Sequence, residues 1–191
     1  MGIDEILKKI KFQINPNDDY RKAYVFRFKK GLYKLFSLDK KFTFDNCILD
    51  QEVENIILKN ALLNIDSMST YAIGHLVNQI CVRLSKHQTY LNIGCWKGFT
   101  LISGMIGTSC KVIGVDNFSQ FNSPKEEFFS NFKKYQNKEK HFFYDEDYKV
   151  FFKNFEKRNE LVNFYYYDGE HSYKNQYENL KIADNFYFKV F

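Results

Sequence analysis

The chain has 191 residues, enough for one domain with a sizeable core or for a domain plus a helical extension, and too few for two full domains. Its 45% hydrophobic and 27% charged residues describe an ordinary soluble protein, and no apolar run approaches the roughly 18 residues that a membrane helix requires. The net charge of +5 is spread along the chain rather than gathered into a patch, which argues against nucleic acid as a partner.

Residues 1 to about 85 read as helical. Ile3, Ile6, Leu7 and Ile10 recur at helix spacing, as do Val53, Ile56, Ile57 and Ala61. Asn15, Pro16 and Asn17 break the first segment, and Asp45 and Asn46 mark a second irregular stretch. Between them, Arg21 to Lys41 interleaves basic residues with Tyr24, Phe26, Phe28, Leu32, Leu35 and Phe36, the pattern of an amphipathic helix with a solvated face. Ser69 is placed to cap a further helix whose face carries Ile73, Leu76, Val77, Ile80 and Leu84.

The pattern changes at Gln88. TYLNIGC, CKVIGVDNF, HFFYDED and LVNFYYYDG are short runs rich in β-branched or aromatic residues, each ending in polar or glycine positions. Phe99 to Gly107, Lys125 to Tyr135 and Tyr148 to Lys157 lie between them and are long enough for helical crossovers. Strands alternating with helices imply βαβ units and a mostly parallel sheet, with the ligand site beyond the carboxyl ends of the strands. The expected organisation is therefore an N-terminal helical extension over residues 1–85 and a Rossmann-like α/β domain of about four strands over residues 86–191. Cys47, Cys81, Cys95 and Cys110 form no CxxC pair, so a structural metal site is not expected, and reduced thiols in a cytoplasmic protein are.

The first strand runs into Gly94, Cys95, Trp96, Lys97 and Gly98, where glycines permit a tight turn and close approach of backbone to a ligand. The spacing is GxxxG, so the three-glycine fingerprint of nicotinamide and flavin sites is not met. Asp116, 22 residues after Gly94, ends the second strand, where an acid can accept hydrogen bonds from two ribose hydroxyls. The lesser alternative is that Asp116 starts a solvated turn with Asn117 and Ser119. Asp145, Glu146 and Asp147 follow the third strand, as an adenine contact or as a solvated acidic turn. After the fourth strand, Asp168 and His171 could orient a substrate hydroxyl, remove its proton or bind a cation; alternatively, they cap the helix from Tyr173 to Asp184 and bond to each other.

YLNIGCWKGFT, VIGVDNFSQF and YYYDGEHSY, in that order, resemble the class I S-adenosylmethionine-dependent methyltransferases, particularly the branch whose fourth strand ends in Asp-Gly-Asp-His-Ser-Tyr. The resemblance covers about residues 66 to 184. It implies that Gly94, Trp96, Lys97 and Gly98 hold the methionine part of the cofactor, that Asp116 binds its ribose, and that Asp147 lies near adenine. Asp168 and His171 would line the substrate side, with Asp168 a metal ligand if a divalent cation such as magnesium is used. Asn92 stands where the family usually carries an acid, two positions before the first glycine.

The implied activity is methyl transfer from S-adenosylmethionine to a small-molecule acceptor. The family sheet has seven strands, and this chain reaches Phe191 after about four. A truncated form is accordingly expected, either active or a non-catalytic remnant whose exposed sheet edge would support homo-oligomers.

Overall fold

The computed structural model describes residues 3–12, 47–49, 56–158 and 160–186. The expected helix from Arg21 to Lys41, the breaks at Asn15–Asn17 and Asp45–Asn46, Val53, and residues 187–191 lie outside them. The described chain divides into two compact units. In the first, helix α1 (Ile3–Lys9) runs directly into strand β1 (Ile10–Phe12), which pairs antiparallel with β2 (Cys47–Leu49). A strand pair thus occurs where only helix was expected. Ile10-Lys11-Phe12 alternates apolar and polar residues, and that period of two outweighs the helical spacing that Ile10 also fits.

Of the described residues, the second unit takes 56–69 and 73–186, so helices before residue 86 are grouped with the later strands. The physical reason lies in the apolar faces of α2 (Ile56–Leu63) and α3 (Tyr71–Cys81): Leu58, Ala61, Leu62, Val77 and Cys81 are all buried. Further along come β3 (Thr89–Ile93), α4 (Phe99–Met105), β4 (Lys111–Val115), α5 (Lys125–Tyr135), β5 (His141–Tyr144), α6 (Tyr148–Phe155), β6 (Phe164–Tyr167) and α7 (Tyr173–Asp184). A short 3₁₀ turn, Glu156–Arg158, follows α6.

The four later strands form one parallel sheet in the order β5-β4-β3-β6. From β3 the chain steps outward through β4 to β5, then crosses back to place β6 on the other side of β3. That reversal makes the carboxyl ends of β3 and β6 the topological switch point, where open α/β sheets bind ligands.

The two sheet faces are read directly from alternation along the strands. Leu91, Ile93, Ile113 and Val115 form one buried cluster with Phe151, Phe152 and Phe155 of α6 and Ala183 of α7. On the other face the Gly104 backbone of α4 lies close over the Tyr90 ring, and the Phe128 ring of α5 sits 4.3 Å from Phe143. Full burial of each such side chain contributes about 1.5–3 kcal/mol. Asn78 locks α3 to this layer by donating to the carbonyls of Ser103 and Ile106, both at 2.8 Å. Cys81, Cys95 and Cys110 are buried free thiols.

His141 opens β5 in an apolar setting. Its Nδ1 accepts from the Asn137 N–H at 2.9 Å, and its Nε2 is buried without a well-formed hydrogen bond among the described residues. Burial, reinforced by the neighbouring Lys140 charge, pulls the imidazole down to about 4 from 6.5. The folded state therefore resists protonation that the unfolded state accepts below pH 6.5. Stability should be intact above that value and fall as the pH drops towards 4, by about 2 kcal/mol between pH 7 and pH 5. Urea midpoints at the two pH values should show this slope reduced in His141→Asn, whose Oδ1 takes the place of Nδ1 as acceptor for the Asn137 N–H but which does not titrate. An equal slope in the variant would refute the assignment.

Candidate functional site

The register brings the strand endings level. Ile93 pairs with Val115 and with Tyr167, and Val115 with Tyr144. The ladder then extends by one more rung: Gly94 N–H donates to Val115 O at 2.9 Å, Asp168 N–H to Ile93 O at 2.8 Å, and Asp116 N–H to Tyr144 O at 3.2 Å. Gly94, Asp116, Asp145 and Asp168 consequently leave the sheet in one row. At Gly94, with φ of 80°, an added Cβ would lie 2.4 Å from the Asp168 carbonyl oxygen. Only glycine lets the endings of β3 and β6 come this close.

Asp116 organises the loop after β3. Its Oδ2 accepts from the N–H groups of Cys95 at 2.7 Å and Trp96 at 2.8 Å, and its Oδ1 from Phe118 N–H at 2.7 Å. Trp96, at φ of 47°, is held in a left-handed conformation that this carboxylate supports. A carboxylate has about four lone-pair sites, so Oδ1 keeps an acceptor position for a ligand hydroxyl. The turn weighed for Asp116 with Asn117 and Ser119 is present, in the Phe118 bond and in a bond from Ser119 N–H to Asn117 Oδ1 at 3.1 Å; the bonds across to β3's loop go beyond it.

The three acids after β5 have separate fates. Asp145 pairs with Lys125 of α5. Asp147 is the N-cap of α6 and accepts from Lys149 N–H at 2.8 Å. Glu146 makes no hydrogen bond or ion pair among the described residues and lines the same cavity as Asp147.

After β6, Asp168 Oδ1 and His171 Nε2 lie 3.2 Å apart. Neither caps α7: that place belongs to Ser172, whose Oγ accepts from Asn175 N–H at 3.3 Å. In the neutral tautomer protonated at Nε2, the imidazole donates to the carboxylate and Nδ1 is left with the lone pair. Tyr167 stands behind them, donating to Glu170 O at 3.0 Å. Burial raises the Tyr167 hydroxyl to about 12, and burial followed by the Asp168 charge does the same to Tyr166. Both phenols therefore act as neutral groups at physiological pH.

These groups surround one cavity of about 520 Å³, within the range that holds a small-molecule ligand. Gly94, Trp96, Asp116, Asp147, Asp168 and His171 line it, as do Ser67 to Ser69, Phe118, Phe121, Glu146, Tyr148 and Tyr166. Besides Asp145, three residues singled out from the sequence do not. Asn92 is fully buried beneath the loop, where its Oδ1 accepts from Thr100 Oγ1 at 2.9 Å. Lys97 turns away to pair with Asp66 at 2.9 Å and Glu127 at 2.5 Å. Gly98, at φ of 97°, precedes α4 outside the cavity wall. Asn92, Lys97 and Gly98 thus shape and tether the loop. The aromatic wall of Phe118, Phe121 and Tyr148 was not anticipated, although Phe118 and Phe121 follow Asp116 closely in sequence.

Donors for a divalent cation are incomplete among the described residues: no group of three His, Cys, Asp or Glu side chains is placed to hold a metal ion. No described helix is long and apolar enough to cross a membrane.

The fold is similar to that of solved methyltransferase structures. An O-methyltransferase from Bacillus cereus in complex with SAH matches at TM-score 0.54 and 16% identity, over 82% of this chain and 67% of that one. Cofactor-bound Rv0187 from MTB matches at TM-score 0.53 and 12% identity, over 73% of this chain and 62% of that one. The chain spans about two thirds of the length of these structures. No family model and no curated protein matches the sequence. At such identities the likeness establishes the architecture alone, an α/β Rossmann-like fold shared with those structures.

Proposed function

We propose that this chain is an S-adenosylmethionine-dependent methyltransferase acting on a hydroxyl group of a small molecule. The observation that carries the reading is the convergence, on one cavity at the switch point, of the Gly94 loop, the Asp116 carboxylate and the Asp168–His171 pair. The first two suit the cofactor, the third suits the acceptor, and the fold is the one in which such a cofactor is held.

Asp116 would take a ribose hydroxyl at the remaining acceptor site of Oδ1, while its other bonds fix the loop against which the methionine part lies. Glu146, the unpaired acid of its trio, is placed to accept from the adenine amine, a role the sequence pointed to at Asp147. The bound cofactor supplies an electrophilic methyl group on a sulfonium, open to in-line displacement. The protein's share is then positioning, exclusion of water and movement of one proton. His171 Nδ1 takes the acceptor's hydroxyl proton as the oxygen attacks, and Asp168 stabilises the resulting imidazolium through Nε2.

Calorimetric titration of the purified chain with S-adenosylhomocysteine tests the reading. One site of micromolar affinity is expected, with no heat from NADH. A folded chain that ignores S-adenosylhomocysteine would overturn the proposal, and binding of NADH instead would point to an oxidoreductase.

A further inference from the structure

The segment joining β4 to α5 has a conformation that connection alone does not require. Five described residues other than glycine have positive φ, and four of them, Phe118, Phe121, Asn122 and Ser123, fall here. Ser123 N–H donates to Gln120 O at 3.2 Å, closing a tight turn whose central residues, Phe121 and Asn122, have φ of 52° and 59°. Two left-handed central residues make this a turn of type I′ character, a setting that favours Asn, Asp or Gly. Asn122 conforms. Phenylalanine at the preceding position is strained, because its Cβ crowds the backbone in the left-handed region.

Packing does not offset that strain. Phe118, three residues earlier, is only 5% exposed, and its ring lies 5.3 Å from Phe128 and 5.6 Å from Phe143. Phe121 is 62% exposed. It nevertheless lines the cavity that Asp116 and Asp168 line, and with Trp96 it also lines the more open groove beside it. A large apolar ring held in a strained backbone at the rim of a ligand cavity, and left mostly in water, is the kind of outlier from which a functional role is inferred.

We infer that Phe121 is a ligand-binding residue whose ring stacks on the purine base of the bound nucleoside and closes that end of the cavity. The inference rests on the methyltransferase reading. Phe121 comes five residues after Asp116, the acid placed for the ribose, so a base attached to that ribose lies within its reach. Glu146, without a partner of its own, lines the same cavity and can accept from the base's exocyclic amine. Edge and face of one purine would then be read by two side chains from adjacent strand endings. The anchored Phe118 and the helix beginning at Lys125 bracket the turn.

Phe121→Gly removes the ring and suits the turn better, so its thermal midpoint should equal or exceed that of the wild type. Its Kd for S-adenosylhomocysteine should rise about tenfold, the scale of a lost base–aromatic stack. Phe121→Tyr should restore wild-type affinity, and Asn122→Gly, which relaxes the turn but keeps the ring, should bind as the wild type does. Trp96 is the chain's single tryptophan, and its emission reports the same corner: the change seen on saturation should be smaller in Phe121→Gly. Wild-type binding with an unchanged Kd in Phe121→Gly sinks the inference alone. Equal weakening in Asn122→Gly sinks it too, by assigning the effect to the turn rather than the ring. A wild-type chain that binds no S-adenosylhomocysteine removes the methyltransferase reading and this inference together.

Discussion

Replacing Asp116 with alanine should raise the Kd for S-adenosylhomocysteine at least about 100-fold and lower stability by about 2–3 kcal/mol. Two losses act together. The ribose loses its acceptor, and the N–H groups of Cys95, Trp96 and Phe118 lose the oxygens that fix them. The site is partly open, so water replaces some of those bonds and keeps the stability cost below the sum of three charge-assisted hydrogen bonds. The loop itself has no such substitute, because Trp96 holds its left-handed backbone against Asp116. Asp116→Asn separates the two contributions. Its single amide oxygen can serve only one side of the arrangement, while its NH₂ faces N–H donors, so binding should be nearly as weak as in the alanine variant with a smaller loss of stability. Calorimetry gives the affinities, and urea unfolding followed by circular dichroism gives the stabilities. Binding by Asp116→Ala within tenfold of the wild type would remove Asp116 from the cofactor site.

The parts legible in the sequence were those carried by local period and by spacing along one strand–helix–strand unit. The change from helical spacing to short β-branched runs at Gln88 anticipates β3 to β6, and the helix at Lys125 to Tyr135 has the expected limits. The Gly94–Asp116 spacing anticipates their meeting, because parallel strands in register must deliver both to the same edge. Lys97 was not legible. It leaves the cofactor side for Asp66 and Glu127, which lie about thirty residues away in either direction, and no local pattern encodes such partners. Asn92 was misplaced for a related reason: its face of β3 is roofed by α4, and Thr100 reaches it first. The choice between Glu146 and Asp147 depends on the residue at which α6 begins. The acid directly before Tyr148 becomes the cap, and its neighbour is left free. The handedness of the turn at Phe121 is a backbone property that its composition, apart from Asn122, does not announce.

Removing the proposed base should act on the chemical step and leave cofactor affinity alone. In His171→Ala, kcat should fall by about 10²–10⁴-fold, with the Kd for S-adenosylhomocysteine unchanged. The side chain is 70% exposed and, among the described residues, bonded only to Asp168, so its loss opens no cavity and leaves no donor or acceptor stranded in the core. Asp168→Asn should cost a similar factor by a different route. An amide can donate to Nε2, which favours the tautomer protonated at Nδ1 and so blocks the nitrogen that must receive the hydroxyl proton. His171→Gln provides the discriminating control, since it keeps a polar partner for Asp168 but has no basic nitrogen, and it should resemble alanine rather than wild type. Release of S-adenosylhomocysteine can be followed with any hydroxyl acceptor that the wild-type chain turns over. A kcat within threefold of wild type in His171→Ala would show that the acceptor loses its proton to another group. A rise in Kd equal to the fall in kcat/KM would place His171 among the residues that hold the cofactor. Only a fall in kcat at constant Kd identifies the pair as the device that moves the proton, because the imidazole then matters in the transition state and not in the ground state.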